Sequence, residues 1–114
     1  MKDKTLYILH ANICKVLGNP TRIEIIDMLG DREMSFGELL EATGLLKSNL
    51  SQHLTVMVSK GILNQRKEGL NAYYRLTTIK VSTACRIMRE VLIENIKKQQ
   101  SLIENQAVGT VSAN

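Results

Sequence analysis

Residues 35–63 read SFGELLEATGLLKSNLSQHLTVMVSKGIL, a pattern that predicts two short helices joined by a tight turn. Ser35 and Glu38 have the S-x-x-E spacing of a capping box, in which a hydroxyl and a carboxylate each satisfy a backbone N–H at a helix start. Gly44 then ends the first helix, because glycine readily takes the left-handed backbone conformation found after a helix. The stretch therefore predicts a helix-turn-helix.

The second helix of this stretch is predicted to begin near Lys47 or Ser48 and to end at Lys60, before Gly61. Its apolar residues repeat at i, i+4, i+7 and i+8 and form the face that packs against the domain, namely Leu50, Leu54, Met57 and Val58. At about 100° per residue, the opposite face is small and almost uncharged, namely Ser48, Asn49, Gln52, Thr55, Val56 and Ser59. Such side chains hydrogen-bond base edges and contact a thymine methyl, so the pattern is typical of a helix that enters the major groove of DNA. The alternative is an ordinary solvated face, which usually carries Glu and Lys.

Composition predicts one small domain with a core of aliphatic side chains. With 114 residues, of which 44% are hydrophobic, the chain suits one domain, expected over residues 1–105, with a flexible tail at 106–114. The absence of Trp and the single Phe are typical of helices packed on helices. A domain of this size often gains buried surface by dimerising.

Positive charge is concentrated in one part of the chain. The formal net charge is only +4, but residues 47–80 carry six cations and one anion. The cations are Lys47, Lys60, Arg66, Lys67, Arg75 and Lys80, and the anion is Glu68. Such clustering beside a helix-turn-helix indicates a phosphate-backbone partner, which predicts double-stranded DNA.

No pattern in the sequence is typical of a membrane protein or of an enzyme. No apolar run is long enough to cross a bilayer, and the first residues lack a cleavable signal sequence, so we expect a cytoplasmic protein with no membrane partner. In that reducing compartment Cys14 and Cys85 are expected to be thiols. No spacing of Ser, His and acidic residues nominates a catalytic set, and no motif indicates a cofactor.

Helices are predicted on both sides of the helix-turn-helix. Helix 1 is expected over Leu6–Leu17, and helix 2 begins with Asn19 as N-cap and Pro20 at the first helical position. A last helix is expected over Ile79–Ile103, roughly 37 Å long at 1.5 Å per residue. Because this length exceeds what so small a domain needs for its own core, helix 1 and the last helix are predicted to form a homodimer interface.

A β-hairpin is predicted between the helix-turn-helix and the last helix. Residues Ile62–Lys67 and Asn71–Leu76 alternate in strand fashion, and Gly69 supplies the positive φ of the turn. The predicted base contacts are Ser48, Asn49, Gln52, Thr55 and Val56, and Ser51 is predicted to be a further DNA-binding residue. The predicted phosphate contacts are Lys47, Arg66, Lys67 and Arg75. For each hairpin cation the alternative is a solvated charge without a DNA contact.

Three segments of the chain together resemble the ArsR/SmtB family of winged-helix repressors. They are KVLGNPTRIEIIDML at 15–29, LLKSNLSQHLTVMVSKGIL at 45–63 and RKEGLNAYYRL at 66–76. The resemblance implies a mainly α fold with a β-hairpin wing, a homodimeric winged helix-turn-helix in which helix 1 and the last helix form the interface. It also implies an operator that overlaps a promoter and a repressor that leaves it when an effector binds.

The metal sites of this family are not expected here. Where arsenic and lead sensors have a C-V-C, this chain has Ser35, Phe36 and Gly37, and no thiolate remains. The positions of the zinc ligands on the last helix carry Thr78, Lys80, Val91 and Glu94. One carboxylate does not make a tetrahedral zinc site, so no metal is predicted.

The effector is predicted to act on thiols. Cys14 on helix 1 and Cys85 on the last helix occupy the two elements assigned to the dimer interface, where oxidation or a reactive sulfur species would link them and weaken operator binding. The alternative is that both are small buried hydrophobic residues. Two other functions stay open, a metal-responsive repressor with a non-standard site and a winged-helix module that binds a protein. The charge of residues 47–80 argues against the protein partner, because dry protein interfaces are depleted in Lys.

Overall fold

The computed structural model describes residues 3–113, with side chains described for residues 3–106. The elements in chain order are α1 Asp3–Leu17, α2 Pro20–Leu29, β1 Met34–Ser35, α3 Phe36–Thr43, α4 Lys47–Ser59, β2 Leu63–Glu68, β3 Asn71–Leu76 and α5 Ile79–Ala113. The chain divides into two compact units, one ending at Ser82 and the other beginning at Thr83. The predicted class, mainly α with a β-hairpin, is confirmed.

The first two helices begin and end as local chemistry dictates. The Asn19 side chain accepts a hydrogen bond from the backbone N–H of Arg22 at 3.1 Å, and Pro20 follows in the first turn, where its missing N–H costs nothing. The predicted N-cap of α2 is therefore confirmed. Helix α1 begins at Asp3, three residues before the predicted Leu6, and this acidic residue in the first turn complements the helix dipole.

The helix-turn-helix forms as the caps predict. Glu38 N–H donates to Ser35 Oγ, and Ser35 N–H donates to a Glu38 carboxylate oxygen, both at 3.0 Å. The pKa of Glu38 is lowered because the backbone N–H and the hydroxyl of Ser35 favour its charged form. Gly44 ends α3 with a left-handed φ of 69°, and three residues later α4 begins at Lys47. Both predicted helix starts are confirmed.

The sheet contains one strand that the sequence did not reveal. Strands β2 and β3 pair in the predicted hairpin, with a two-residue turn in which Gly69 has a φ of +62°. This single positive φ at the first turn position matches the type II′ turn that suits the twist of a hairpin. The short strand β1 pairs antiparallel with β3, Met34 opposite Tyr74 and Ser35 opposite Tyr73, so the strand order is β1-β3-β2.

The core of the first unit lies between α2, α3, α4 and the sheet. Among the side chains that the structure describes, thirteen hydrophobic ones are buried, namely Val16, Ile25, Ile26, Leu29, Met34, Leu39, Leu50, Leu54, Met57, Ile62, Leu63, Tyr74 and Leu76. The predicted apolar face of α4 is among them, except for Val58, which is half-buried. Because α4 packs through this face, its orientation is fixed by the core.

Helix α5 begins at the predicted Ile79 and continues to Ala113, ten residues past the predicted end. In the second unit it exposes a series of large apolar side chains, namely Ile87, Met88, Val91, Leu92, Ile93, Ile96, Leu102 and Ile103. The side chains of residues 107–114 lie outside the described residues, so the flexible tail predicted at 106–114 stays a prediction. Among the described residues, no helix combines the length and apolarity needed to span a bilayer.

Candidate nucleic-acid interface

Helix α4 has one buried side and one solvent-facing side. Leu50, Leu54 and Met57 are at most 1% exposed. The opposite side, which we call the outward face, is exposed apart from a half-buried valine, and consists of Ser48, Asn49, Ser51, Gln52, Thr55 and Val56. Lys47 is exposed in the first turn. The five predicted base-contacting residues, the predicted DNA-binding residue Ser51 and one predicted phosphate contact thus lie on one continuous surface of α4.

The three cations predicted on the hairpin do not share one face of the sheet. Arg66 lies opposite Tyr73, and Arg75 lies opposite Asn64, which places both arginines on the same face because side chains alternate along a strand. Lys67 lies opposite Ala72 and therefore projects from the other face. Phosphate contact by all three would require the hairpin to meet DNA at an edge or near its tip.

The guanidinium of Arg66 is already occupied within the chain. It forms a bidentate pair with the Glu33 carboxylate, at 2.7 Å from Nη2 and 3.2 Å from Nε, and its Nη1 lies 2.6 Å from Glu68 Oε2. It also stacks over the Tyr73 ring, 4.5 Å from the centroid. The hydrogen bond from Arg66 lowers the pKa of Glu33. Two carboxylates therefore compensate the charge of Arg66. Lys67 and Arg75 are exposed, as Arg66 is, and the charge of Arg75 also lowers the pKa of Glu33.

A second arginine, outside the predicted set, joins α2 to α4. Arg22 Nε donates to His53 Nδ1 at 3.2 Å, and Arg22 Nη1 donates to the carbonyl oxygen of Val16 at 3.2 Å. Burial lowers the pKa of His53, and the neighbouring Arg22 charge lowers it further. This pair lines a shallow depression with four residues of the outward face, Ser51, Gln52, Thr55 and Val56. The sequence carries no local signal for it, because the two partners are 31 residues apart.

The two cysteines lie in different units of the chain. Cys14 is exposed on α1, and Cys85 is half-buried on α5. The interpretation of Cys14 as a buried hydrophobic residue therefore does not hold within one chain. In the described part of the chain, no three His, Cys, Asp or Glu side chains come together as a group that would hold a metal ion.

The family model described as "Bacterial regulatory protein, arsR family" matches residues 19–65, which contain α2, the helix-turn-helix and part of the hairpin. The uncharacterized HTH-type transcriptional regulator Rv0081 of Mycobacterium tuberculosis is 33% identical over 110 residues, covering 96% of each chain. This chain belongs to the ArsR family. The resemblance seen in the three sequence segments is confirmed, and the protein is a DNA-binding transcriptional regulator.

Solved structures support the same assignment for this ArsR-family regulator. The crystal structure of Rv0081 matches with a TM-score of 0.75 at 35% identity, over 82% of this chain and 95% of that one. A winged helix-turn-helix domain of Mb0332 from Mycobacterium bovis, described as homodimeric, matches with a TM-score of 0.72 at 28% identity, over 82% and 89% of the chains.

A third relative of this ArsR-family regulator is HlyU of Vibrio cholerae, named a transcriptional activator. It is 34% identical over 79 residues, which cover 69% of this chain and 73% of HlyU. Its structure in a form described as reduced matches with a TM-score of 0.69 at 31% identity, over 77% and 93% of the chains. The predicted winged helix-turn-helix is thus confirmed by the family and by the solved folds.

Proposed function

We propose that a homodimer of this chain represses transcription by binding an operator that overlaps a promoter. The observation that carries the proposal is the asymmetry of α4, whose apolar side is at most 1% exposed at Leu50, Leu54 and Met57 while its polar side faces solvent. An uncharged polar helix face held rigidly by a core is suited to enter the major groove. A dimer on a promoter would exclude RNA polymerase from the same DNA.

The residues of the outward face would specify the sequence, and the neighbouring cations would supply affinity. Ser48, Asn49, Ser51, Gln52, Thr55 and Val56 carry the hydrogen-bonding groups and the methyl groups that read base edges. Lys47, Lys67 and Arg75 are the exposed cations proposed to hold phosphates. Arg66 remains in the proposed set, but its two carboxylate partners make it the weakest phosphate ligand of the four.

The proposed partner is a second copy, docked through α1 and α5. Helix α1 exposes Leu6 by 52%, Leu9 by 48% and Ile13 by 36%, although all three are large and aliphatic. Helix α5 exposes a comparable apolar series along the second unit. Large apolar side chains exposed in this way usually mark an interface. The description of the Mb0332 domain as homodimeric supports a dimer.

We propose further that the effector acts through Cys14 and Cys85. Hydrogen peroxide would take two electrons and two protons from the two thiols, which become a disulfide while the peroxide O–O bond breaks to give two molecules of water. A polysulfide would oxidise the thiols in the same way, because one of its S–S bonds breaks and the two fragments take up the two protons as S–H groups. Cys14 is exposed within one chain, and one solved structure of the relative HlyU is described as reduced. Because this link would connect the helices proposed to form the dimer, it would alter the spacing of the two α4 helices.

One experiment tests the operator and the effector together. The operator is obtained by selection from a random DNA library with the reduced protein, and its Kd is then measured before and after treatment with peroxide or polysulfide. Wild type should lose affinity on oxidation, whereas Cys85→Ser and Cys14→Ser should not. An equal loss in wild type and both variants would end the thiol mechanism and leave the DNA-binding function standing.

Activation is the second candidate, because HlyU is named an activator. A reporter distinguishes the two outcomes. Deleting the gene should raise transcription from a promoter that contains the selected operator if the protein represses, and should lower it if the protein activates.

A further inference from the structure

Arg22 is a half-buried cation whose side chain is held by neutral partners. Its two hydrogen bonds, to His53 Nδ1 and to the Val16 carbonyl oxygen, fix the plane of the guanidinium. An imidazole that accepts a hydrogen bond at Nδ1 is neutral and carries its proton on Nε2. Within the described part of the chain, these contacts leave the positive charge of Arg22 without a compensating carboxylate.

The unused donors of Arg22 are suited to an oxyanion. A guanidinium has five N–H donors, and the two hydrogen bonds use only two of them. Arginine is the preferred ligand of phosphate because its planar fork donates two parallel hydrogen bonds. The fork of Arg22 is positioned in advance, so little side-chain entropy would be lost when an anion binds.

The location of Arg22 indicates which anion it binds. Arg22 and His53 share a depression with Gln52 and Thr55 of the outward face. A helix placed in a major groove about 12 Å wide has the sugar-phosphate backbone at its flank, so a cation at the flank of α4 meets a phosphate. We infer that Arg22 binds a DNA backbone phosphate and that His53 is the positioning residue that holds its guanidinium. This inference rests on the proposed function of α4.

The test uses salt dependence on DNA of random sequence, because a phosphate contact is independent of sequence. The Kd of full-length protein for a random duplex of about 30 base pairs is measured over a series of KCl concentrations for wild type, Arg22→Gln and Arg32→Gln. Each phosphate contact contributes about 0.9 to the slope of log K against log salt, so losing two per dimer should lower the slope by about 1.8 in Arg22→Gln.

Arg32→Gln is the matched control. Arg32 also donates a hydrogen bond to a backbone carbonyl, that of Met28, but it lies beyond the C-terminal end of α2, whereas Arg22 lies in the first turn of that helix. Its removal changes the net charge equally and should leave the slope close to that of wild type. Arg22→Lys keeps the charge and should keep the slope, even if the loss of the fork weakens binding.

Folding is monitored by thermal melts, since Arg22 also joins α2 to α4. His53→Ala should weaken binding to the random duplex, and His53→Gln, which keeps an acceptor for Arg22 Nε, should restore it at an unchanged melting temperature. If wild type binds with a steep slope and Arg22→Gln behaves like Arg32→Gln, the inference is wrong and the proposed function stands. If wild type binds no duplex at any salt concentration, both are wrong. Binding of inorganic phosphate alone, without a change in the DNA slope, would show an anion site unrelated to DNA.

Discussion

Gln52→Ala isolates sequence recognition from folding and from electrostatics. Gln52 is exposed on the outward face, so removal of its amide leaves the core of α4 intact and should change the free energy of unfolding by less than about 0.5 kcal/mol. A glutamine that pairs with an adenine through both amide atoms contributes about 1 to 3 kcal/mol of discrimination. The Kd for the operator should therefore rise about 5-fold to 150-fold for each half-site.

The assay is fluorescence anisotropy on the selected operator and on a random duplex at one salt concentration. Gln52→Ala should lose affinity for the operator only, because no charge has been removed. Equal losses on operator and random DNA would refute the role of Gln52 in base recognition.

The capping box, the charge of Arg66 and the neutrality of His53 lead to three further predictions. Ser35→Ala removes a cap that accepts the Glu38 N–H and should lower the free energy of unfolding by about 1 kcal/mol in urea titrations; an unchanged value would mean that water replaces the cap. Glu33→Gln releases part of the Arg66 guanidinium and should strengthen binding to random DNA with a steeper salt slope, while the midpoint of urea unfolding stays close to that of wild type because the ion pair is exposed; unchanged binding would show that Arg66 stays away from phosphate. Because the pKa of His53 is lowered in the folded chain, the unfolded chain takes up a proton on His53 more readily. The stability that neutral His53 contributes is therefore complete above a pH of about 6.5 and is lost as the pH falls towards the pKa of the folded state. Wild type should therefore lose more melting temperature than His53→Gln between about pH 7.5 and about pH 5.5, a range above the titration of Glu33 and Glu38; equal losses would contradict this assignment.

The sequence predicted the parts of the fold that depend on neighbours in the chain. The N-cap at Asn19, the capping box at Ser35 and the left-handed Gly44 all act within a few residues, and each lies where it was predicted. The buried side of α4 follows from helical periodicity alone. Local sequence patterns therefore predict where the helix-turn-helix lies in the chain and which side of α4 is buried.

The parts of the fold that the sequence did not predict depend on contacts between residues far apart in the chain. Strand β1 has only two residues, too few for any periodicity, and it exists because Met34 and Ser35 pair with Tyr74 and Tyr73. The ion pair between Glu33 and Arg66 likewise spans 33 residues. A charge count treats Arg66 as available for DNA, whereas the folded chain gives it two carboxylates. Tertiary proximity, which no local pattern encodes, therefore decides which cations remain available.

An effector that releases the DNA is expected to act on the dimer interface and not on α4 itself. The outward face of α4 is fixed by side chains that are almost fully buried, so a small ligand cannot readily reorient it within one chain. The spacing between two copies of α4 is instead set by the dimer interface, and a symmetric operator accepts only copies about one helical turn apart. Cys14 lies on α1 next to Ile13, which is among the exposed apolar residues proposed to dock the partner. A covalent change there would therefore release DNA by altering the distance between two unchanged reading helices.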